Sequence, residues 1–134
     1  MRHAASLLRY LWASPASALG LLATALLAAC FGTRPKIVQG VIEVDAGALV
    51  RHLPPLRFEA ITLGHVVIGV SAQALARWRS HEHVHVRQYE RWGLLLIPLY
   101  LGASAWIGLR GGDAYRDNPF ERQAYDPREH RPRR

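Results

Sequence analysis

The sequence predicts an α+β fold in which an N-terminal transmembrane helix precedes a small sheet of about three strands and several further helices. Three observations support this prediction. An uncharged apolar run begins at Tyr10. The middle of the chain has short segments rich in β-branched residues, and a long amphipathic segment then carries three histidines within five positions. The 134 residues leave room for one small domain beside the apolar run.

The composition narrows the class of protein. Half of the residues are hydrophobic, which is too many for a disordered chain. The 17 basic residues outnumber the 10 acidic ones and give a net charge of +7. Aromatic and basic residues do not interleave as they do in RNA-binding modules, so no nucleic acid is expected as a partner. Cys30 is the only cysteine, which excludes an internal disulfide framework and a cysteine-based zinc ribbon.

The apolar run from Tyr10 to Gly32 carries no charge and is long enough to cross a bilayer as a helix. Residues 1–35 are therefore predicted to form a membrane anchor. Two alternatives stay open, a cleaved secretory signal and a lipoprotein. In the second, the string Leu27-Ala28-Ala29-Cys30 resembles a lipobox and the lipid would be attached to Cys30. Each alternative places the protein at a membrane, with lipids as partners.

Short strands are predicted between this run and the long helix, within a domain that covers residues 36–127. Lys36–Asp45 is predicted as one strand, because apolar residues alternate on one of its faces. Phe58–Val70 is predicted as one or two strands, with Leu63-Gly64 as a bend. Residues 128–134 are rich in arginine and are predicted to form a disordered tail.

The segment Ser71–Trp92 is predicted as a helix that is capped by Gly93. Steps of three and four residues place one stripe of side chains on a common face: Leu75, Trp78, Glu82, His85, Tyr89 and Trp92. Burial of an acid and an imidazole costs free energy unless another group satisfies them, so this face is predicted to carry a site. Four arginines fall mostly on the opposite side, which is predicted to face solvent or lipid headgroups: Arg77, Arg79, Arg87 and Arg91.

Residues 81–85 read His-Glu-His-Val-His and contain the pattern H-E-x-x-H as His81, Glu82 and His85. Because residues four apart on a helix project to the same side, both imidazoles can reach one zinc ion. Glu82 leans toward the remaining coordination position, where it could act as a general base toward water that the metal has acidified. A surface cluster of histidines is the plainer interpretation, and the pattern does not need His83.

A zinc site requires a third protein ligand. The candidates outside the helix are His52, His65, Asp113, Asp117, Glu121, Asp126, Glu129 and His130. Glu121 is the strongest of them, because Asn118-Pro119 favours a helix start and places Glu121 in the first turn of a C-terminal helix that bears Asn-Pro-Phe-Glu. The alternative is an ordinary first-turn acid that interacts with the helix dipole.

H-E-x-x-H followed by an acid in a later helix resembles the zincin superfamily of metallopeptidases, in the branch whose third ligand is a glutamate. The strings HEHVHVRQYERWG and YRDNPFERQAY are similar to those of a group of small uncharacterised bacterial membrane proteins. The resemblance covers about Arg9 to Tyr125. It implies zinc on His81, His85 and Glu121, Glu82 as general base, and the bacterial inner membrane as location. Gln123 stands where the pattern has an acid.

A second uncharged run, Trp92–Leu109, decides whether this site can form. If the run crossed the bilayer, His85 and Glu121 would end on opposite faces, since a crossing helix separates its ends by about 25 Å or more. The metal hypothesis therefore requires an apolar helix or a helical hairpin that returns to the same side. Pro98 and the small residues of the run permit such a bend.

Four further residues are candidates for roles around the metal. Gln88 follows His85 by three residues and could accept its second ring N–H, as could Asn118. Tyr125, four residues after Glu121, could stabilise an oxyanion, and His65 could line the cleft. Residues of these kinds serve structure more often than chemistry.

Two classes of function remain. The first is a membrane-anchored zinc-dependent hydrolase, most simply a peptidase, whose strand within residues 58–70 pairs with an extended peptide or protein substrate. The second is a non-catalytic membrane protein with a structural metal site or no metal. The short chain predicts a shallow cleft, which a partner protein could complete.

Overall fold

The computed structural model describes residues 2–50, 52–53 and 58–130, and it has the α+β class that the sequence predicts. The helices are α1 (Arg2–Phe31), α2 (Gly47–Val50), α3 (Ala72–Trp92), α4 (Leu96–Leu109) and α5 (Pro119–Ala124). The strands are β1 (Lys36–Val38), β2 (Val41–Asp45), β3 (Ala60–Leu63) and β4 (Val66–Gly69). Two 3₁₀ turns cover Gly93–Leu95 and Pro127–Glu129.

The four strands form one mixed sheet in the order β1-β2-β4-β3. The two central strands, β2 and β4, are parallel, with Ile42 opposite Val66, and each outer strand is antiparallel to its neighbour. The prediction of about three strands is wrong, because Lys36–Asp45 forms a hairpin of two strands. Gln39 and Gly40 both have positive φ, of 51° and 78°, as a two-residue hairpin turn requires.

The segment from residue 58 to residue 70 contains two strands, β3 and β4. Gly64, with a φ of 62°, lies in the turn between them, so the predicted bend is confirmed. A side chain at this position would clash with Ser17 of α1. The turn therefore needs glycine both for its backbone conformation and for the close approach of α1.

The α3 helix has almost the predicted bounds. The side chain of Ser71 caps its first turn by accepting a hydrogen bond from the backbone N–H of Ala74 at 3.0 Å, and Gly93 caps its end. The prediction for the arginine face is wrong at one position. Arg79 does not point only into solvent. Its guanidinium donates two hydrogen bonds, of 2.7 and 3.0 Å, to the buried carboxylate of Glu43 on β2.

The α1 helix shares a core with the rest of the chain. Ala13 and Ala16 pack with Tyr89 and Leu96, and Leu27 packs with buried residues of β2 and β4. By length and composition, α1 from residue 6 and the segment Ala72–Leu109 are each long and apolar enough to cross a membrane. Residues 6–31 are therefore long and apolar enough for an anchor, and part of this helix also belongs to the packed fold.

The second apolar run returns to the side of α3. The chain turns between α3 and α4 at Gly93, which has a φ of 58°, and not at Pro98, which lies in the first turn of α4. After α4, the chain folds back so that the Asn118 amide donates to the carbonyl oxygen of Tyr100 at 3.1 Å and to the hydroxyl of Ser104 at 2.8 Å. This return brings α5 against α3.

Part of the predicted disordered tail lies in a defined turn. Arg128 and Glu129 belong to a 3₁₀ turn, and the backbone oxygen of Glu129 accepts a hydrogen bond from Arg87 of α3. Residues 131–134, the rest of the predicted tail, lie outside the described residues.

Candidate metal centre

Three buried side chains from two helices meet in the structure. His81 and His85 come from α3, and Glu121 comes from the first turn of α5. The two Nε2 atoms are 3.2 Å apart, and the carboxylate oxygens of Glu121 lie 3.2 Å from Nε2 of His81 and 3.4 Å from Nε2 of His85. Two ligands of a tetrahedral zinc ion are separated by about 3.4 Å. The spacing therefore fits a zinc ion held by two nitrogens and one oxygen.

The hydrogen bonds around the three residues also fit a cation. Nδ1 of His85 lies 2.9 Å from the amide oxygen of Gln88, which can only accept, so Nδ1 carries a proton and, when the ring is neutral, Nε2 offers a lone pair. Within the described part of the chain, Oε2 of Glu121 is buried with no hydrogen-bond partner. Lone pairs and a carboxylate that face each other this closely repel unless a cation or a proton lies between them.

The electrostatics keep Glu121, the candidate third ligand, in its charged form. Burial alone raises the pKa of Glu121, but the imidazoles of His81 and His85, when they carry a proton on Nε2, outweigh burial and hold that pKa well below its usual range. A carboxylate that stays ionised near neutral pH is available as a metal ligand without first losing a proton.

Gln88 connects the two helices that carry the ligands. Its oxygen accepts from His85, and its amide nitrogen donates to the backbone oxygen of Phe120 at 3.0 Å and to the side-chain oxygen of Gln123 at 2.9 Å. Gln88 therefore has the geometry that the sequence predicts for a partner of a ligating histidine. Nδ1 of His81 is buried without a hydrogen-bond partner among the described residues.

Asn118 lies beside the site but does not contact either imidazole. It is fully buried, and its side-chain oxygen caps α5 by accepting from the backbone N–H of Phe120 at 3.0 Å. Its amide nitrogen donates to α4, as described above. Asn118 thus fixes the start of the helix that carries Glu121. The prediction that it accepts a hydrogen bond from one of the two histidines is wrong.

Glu82 is buried next to the ligands and has a partner that the sequence does not reveal. The hydroxyl of Thr62 on β3 donates to the carboxylate of Glu82 at 2.7 Å. Thr62 begins the string Thr62-Leu63-Gly64-His65-Val66, but no spacing in the sequence pairs it with Glu82.

Three tyrosines surround the ligands. Tyr100 of α4 donates to the carboxylate of Glu121 at 2.7 Å, although sequence reasoning assigned it no role. The ring of Tyr125 lies 4.6 Å from the ring of His81, and its hydroxyl is 3.2 Å from that of Tyr115. Burial and then the bond to Tyr125 raise the pKa of Tyr115, so this hydroxyl stays protonated at neutral pH.

His65 lies elsewhere in the fold. Its ring nitrogens contact the hydroxyl of Ser17 at 3.2 Å and the carboxylate of Glu90 at 3.0 Å, and its ring stacks on Tyr10. It therefore joins α1 to α3 and does not line the cavity at the metal centre. Of the eight third-ligand candidates, Glu121 alone joins His81 and His85 in a group of metal-binding geometry within the described residues.

A cavity of about 740 Å³ opens beside the three residues. Its walls are α3, α4 and β3, and Glu82, Tyr115 and Tyr125 lie on its lining. All six residues from Phe58 to Leu63 line it in sequence. Because alternate side chains of a strand point to opposite faces, an unbroken run of this kind means that the backbone edge of β3 faces the cavity.

The fold and the site together define an α+β chain with a buried His-His-Glu centre that could hold a metal ion. No family model, no curated protein and no solved structure matches the chain.

Proposed function

We propose that this protein is a membrane-associated, zinc-dependent hydrolase that cleaves peptide bonds. One observation carries the proposal. His81, His85 and Glu121 form a ligand triangle with the spacing of a tetrahedral zinc site, and this triangle borders a cavity that also contains Glu82. The zincin-like pattern noted in the sequence agrees with this assignment of residues.

Different residues would hold the metal, transfer the proton and stabilise the negative charge. Zinc on the triangle would supply Lewis acidity, which makes water a competent nucleophile at neutral pH. Glu82 accepts the proton that such a water molecule loses and passes it to the leaving amine, as a general base and then a general acid. Thr62 holds the Glu82 carboxylate through its 2.7 Å hydrogen bond. The hydroxyls of Tyr115 and Tyr125 are donors at the cavity wall, where negative charge on the substrate oxygen would develop.

The exposed edge of β3 supports a peptide as substrate. β3 is the last strand of the sheet, and its second edge faces the cavity. An extended peptide can pair with the backbone groups of such an edge, which positions its amide bonds along the strand. Thr62 of β3 is hydrogen-bonded to Glu82, so a peptide paired with β3 would pass close to the ligand triangle.

A structural metal site is the second candidate function, because the same three ligands would join α3 to α5. Glu82 distinguishes the two candidates, since a purely structural site has no need of a carboxylate there. The test compares zinc-loaded wild type with Glu82→Gln on a mixture of unstructured peptides, with metal content and cleavage products both measured by mass spectrometry.

We expect Glu82→Gln to keep its zinc and to lose at least a hundredfold in cleavage rate. Glu90→Gln, a change on the same helix but outside the cavity, is the matched control and keeps both properties. The hydrolase assignment is contradicted if wild type loaded with one zinc per chain leaves every peptide intact, or if Glu82→Gln cleaves at the wild-type rate.

A further inference from the structure

The α1 helix has two different faces. One face packs on the domain through Ala13, Ala16 and Leu27. The other carries a stripe of exposed leucines at steps of three, eight, three and four residues, each close to a whole number of helical turns: Leu8, Leu11, Leu19, Leu22 and Leu26. A helix that crosses a bilayer alone meets lipid on all sides. From Ala13 to Leu27, one side of α1 is covered by the domain and lipid can reach only the opposite side, whereas residues 6–12 are exposed on every side.

Charged side chains of the domain lie beside the middle of α1. Trp12 packs at the end of α3, where Arg91 is exposed. About one turn further along α1, Ser17 contacts His65, whose ring lies 3.0 Å from the carboxylate of Glu90. A hydrocarbon layer around this part of α1 would also enclose these charged residues, at a high cost in free energy. The arrangement therefore disfavours α1 as a membrane-crossing helix.

The α4 helix leads to the same conclusion from its length. Its 14 residues span about 21 Å, whereas a bilayer core is about 30 Å thick. It is apolar on all sides, with Leu101, Trp106 and Leu109 exposed. The segment after α4 is polar and contains Arg110 and the exposed residues 113–117. If α4 crossed the bilayer, this segment would have to pass through the hydrocarbon core, at a high cost in free energy.

We propose that α1 and α4 both lie in the plane of a membrane surface rich in anionic lipid, and that neither of them crosses the bilayer. The leucine stripe of α1 and the outer side of α4 enter the acyl boundary, as in interfacial helices. Arg9 and the pair Arg34 and Lys36 flank the stripe at its two ends, where they meet anionic headgroups. The net charge of +7 complements the same surface.

The two ends of α1 provide the test. Cys30 is exposed near the C-terminal end of α1 and is the only cysteine of the chain. Ser6→Cys in a Cys30→Ser background places the single thiol at the other end. Full-length protein is added to sealed vesicles of phosphatidylcholine and phosphatidylglycerol, the vesicle-bound fraction is isolated by flotation, and a membrane-impermeant maleimide is applied before and after detergent.

In-plane binding predicts that both thiols react from outside to the same extent as in detergent. A crossing helix would protect one of them until the vesicles are dissolved, and that result would overturn the proposal. Absence of flotation with the vesicles, or equal binding to pure phosphatidylcholine, would also overturn it, since about tenfold weaker binding is expected without anionic lipid.

A pair of variants checks the leucine stripe. Leu22→Glu should reduce flotation about tenfold or more, whereas Leu53→Glu, at an exposed leucine outside both helices, should leave it unchanged. Equal flotation of the two variants contradicts the proposal. These measurements involve neither metal nor hydrolysis, so their failure would leave the proposed zinc-dependent hydrolysis standing, and the reverse also holds.

Discussion

The hydroxyl of Thr62 donates a 2.7 Å hydrogen bond to the carboxylate of Glu82. The two residues come from the edge strand β3 and from α3, and both are buried. The bond therefore restricts the orientation of the one acid that the proposed hydrolysis requires, and it ties that acid to the strand along which a peptide would lie. This relationship leads to the first prediction.

Thr62→Val should lower both stability and activity while the zinc content stays the same. The change keeps the shape of the side chain but leaves a buried carboxylate oxygen without its donor, which costs about 1–3 kcal/mol in the free energy of unfolding. Urea denaturation measures the stability, and peptide cleavage measures kcat. Thr62→Ser, which keeps the hydroxyl, is the control. Unchanged kcat in Thr62→Val would separate Thr62 from the chemistry.

Removal of zinc should destabilise the protein. Binding to the folded state alone adds about 2.7 kcal/mol when free zinc is a hundred times its dissociation constant, so a chelator should lower Tm and added zinc should restore it. Glu121→Gln removes the anionic ligand and should abolish the response, whereas Glu129→Gln should respond like wild type. The same Tm with and without chelator in the wild type would argue against a metal at His81 and His85.

Asn118→Ala should weaken zinc binding without removing a ligand. The change deletes the N-cap of α5 and two donated hydrogen bonds to α4. A loss of about 1–3 kcal/mol in stability is expected, with zinc affinity lowered about tenfold, because Glu121 follows in the first turn of α5. Asn118→Asp keeps the capping oxygen and should fall between Asn118→Ala and wild type. Zinc titration of the three proteins would show whether that order holds.

Gly20→Ala should destabilise the fold if α1 is packed as described. A Cβ at this position would lie 2.6 Å from Cβ of Val66 and 2.9 Å from the backbone oxygen of Leu63, so the sheet must shift by an amount that costs about 1–3 kcal/mol. Gly102→Ala in α4 is the matched control, since its Cβ would meet no atom within 4 Å and should stabilise that helix slightly. Equal denaturation midpoints would mean that α1 does not pack on β4.

Much of the fold and of the candidate site can be predicted from local patterns in the sequence. The stripe on α3 and the capping residue Gly93 follow from helical periodicity and backbone chemistry, both of which act within a few neighbouring residues. Glu121 could be singled out because Asn118-Pro119 marks a helix start. The assignment of zinc and of a hydrolytic role to these residues remains a prediction.

Contacts between distant segments account for what the sequence did not reveal. The bonds from Thr62 to Glu82 and from Tyr100 to Glu121 join residues about 20 positions apart, and no spacing in the sequence pairs either donor with its acceptor. The hairpin at Gln39 was missed because a glutamine with positive φ is held by the pairing of β1 with β2 and not by its own preference. The prediction that His65 lines the cleft is wrong because its contact with Ser17, 48 residues away, cannot be read from the local sequence.

The two sides of α4 have a consequence for how the metal centre could be influenced from outside. On its inner side, Tyr100 and Ser104 hold Glu121 and the start of α5 in place, while Leu99 and Trp106 are exposed on the same helix. A molecule that bound these exposed side chains and shifted α4 would therefore also shift Tyr100, and with it the carboxylate of Glu121, one of the three proposed metal ligands.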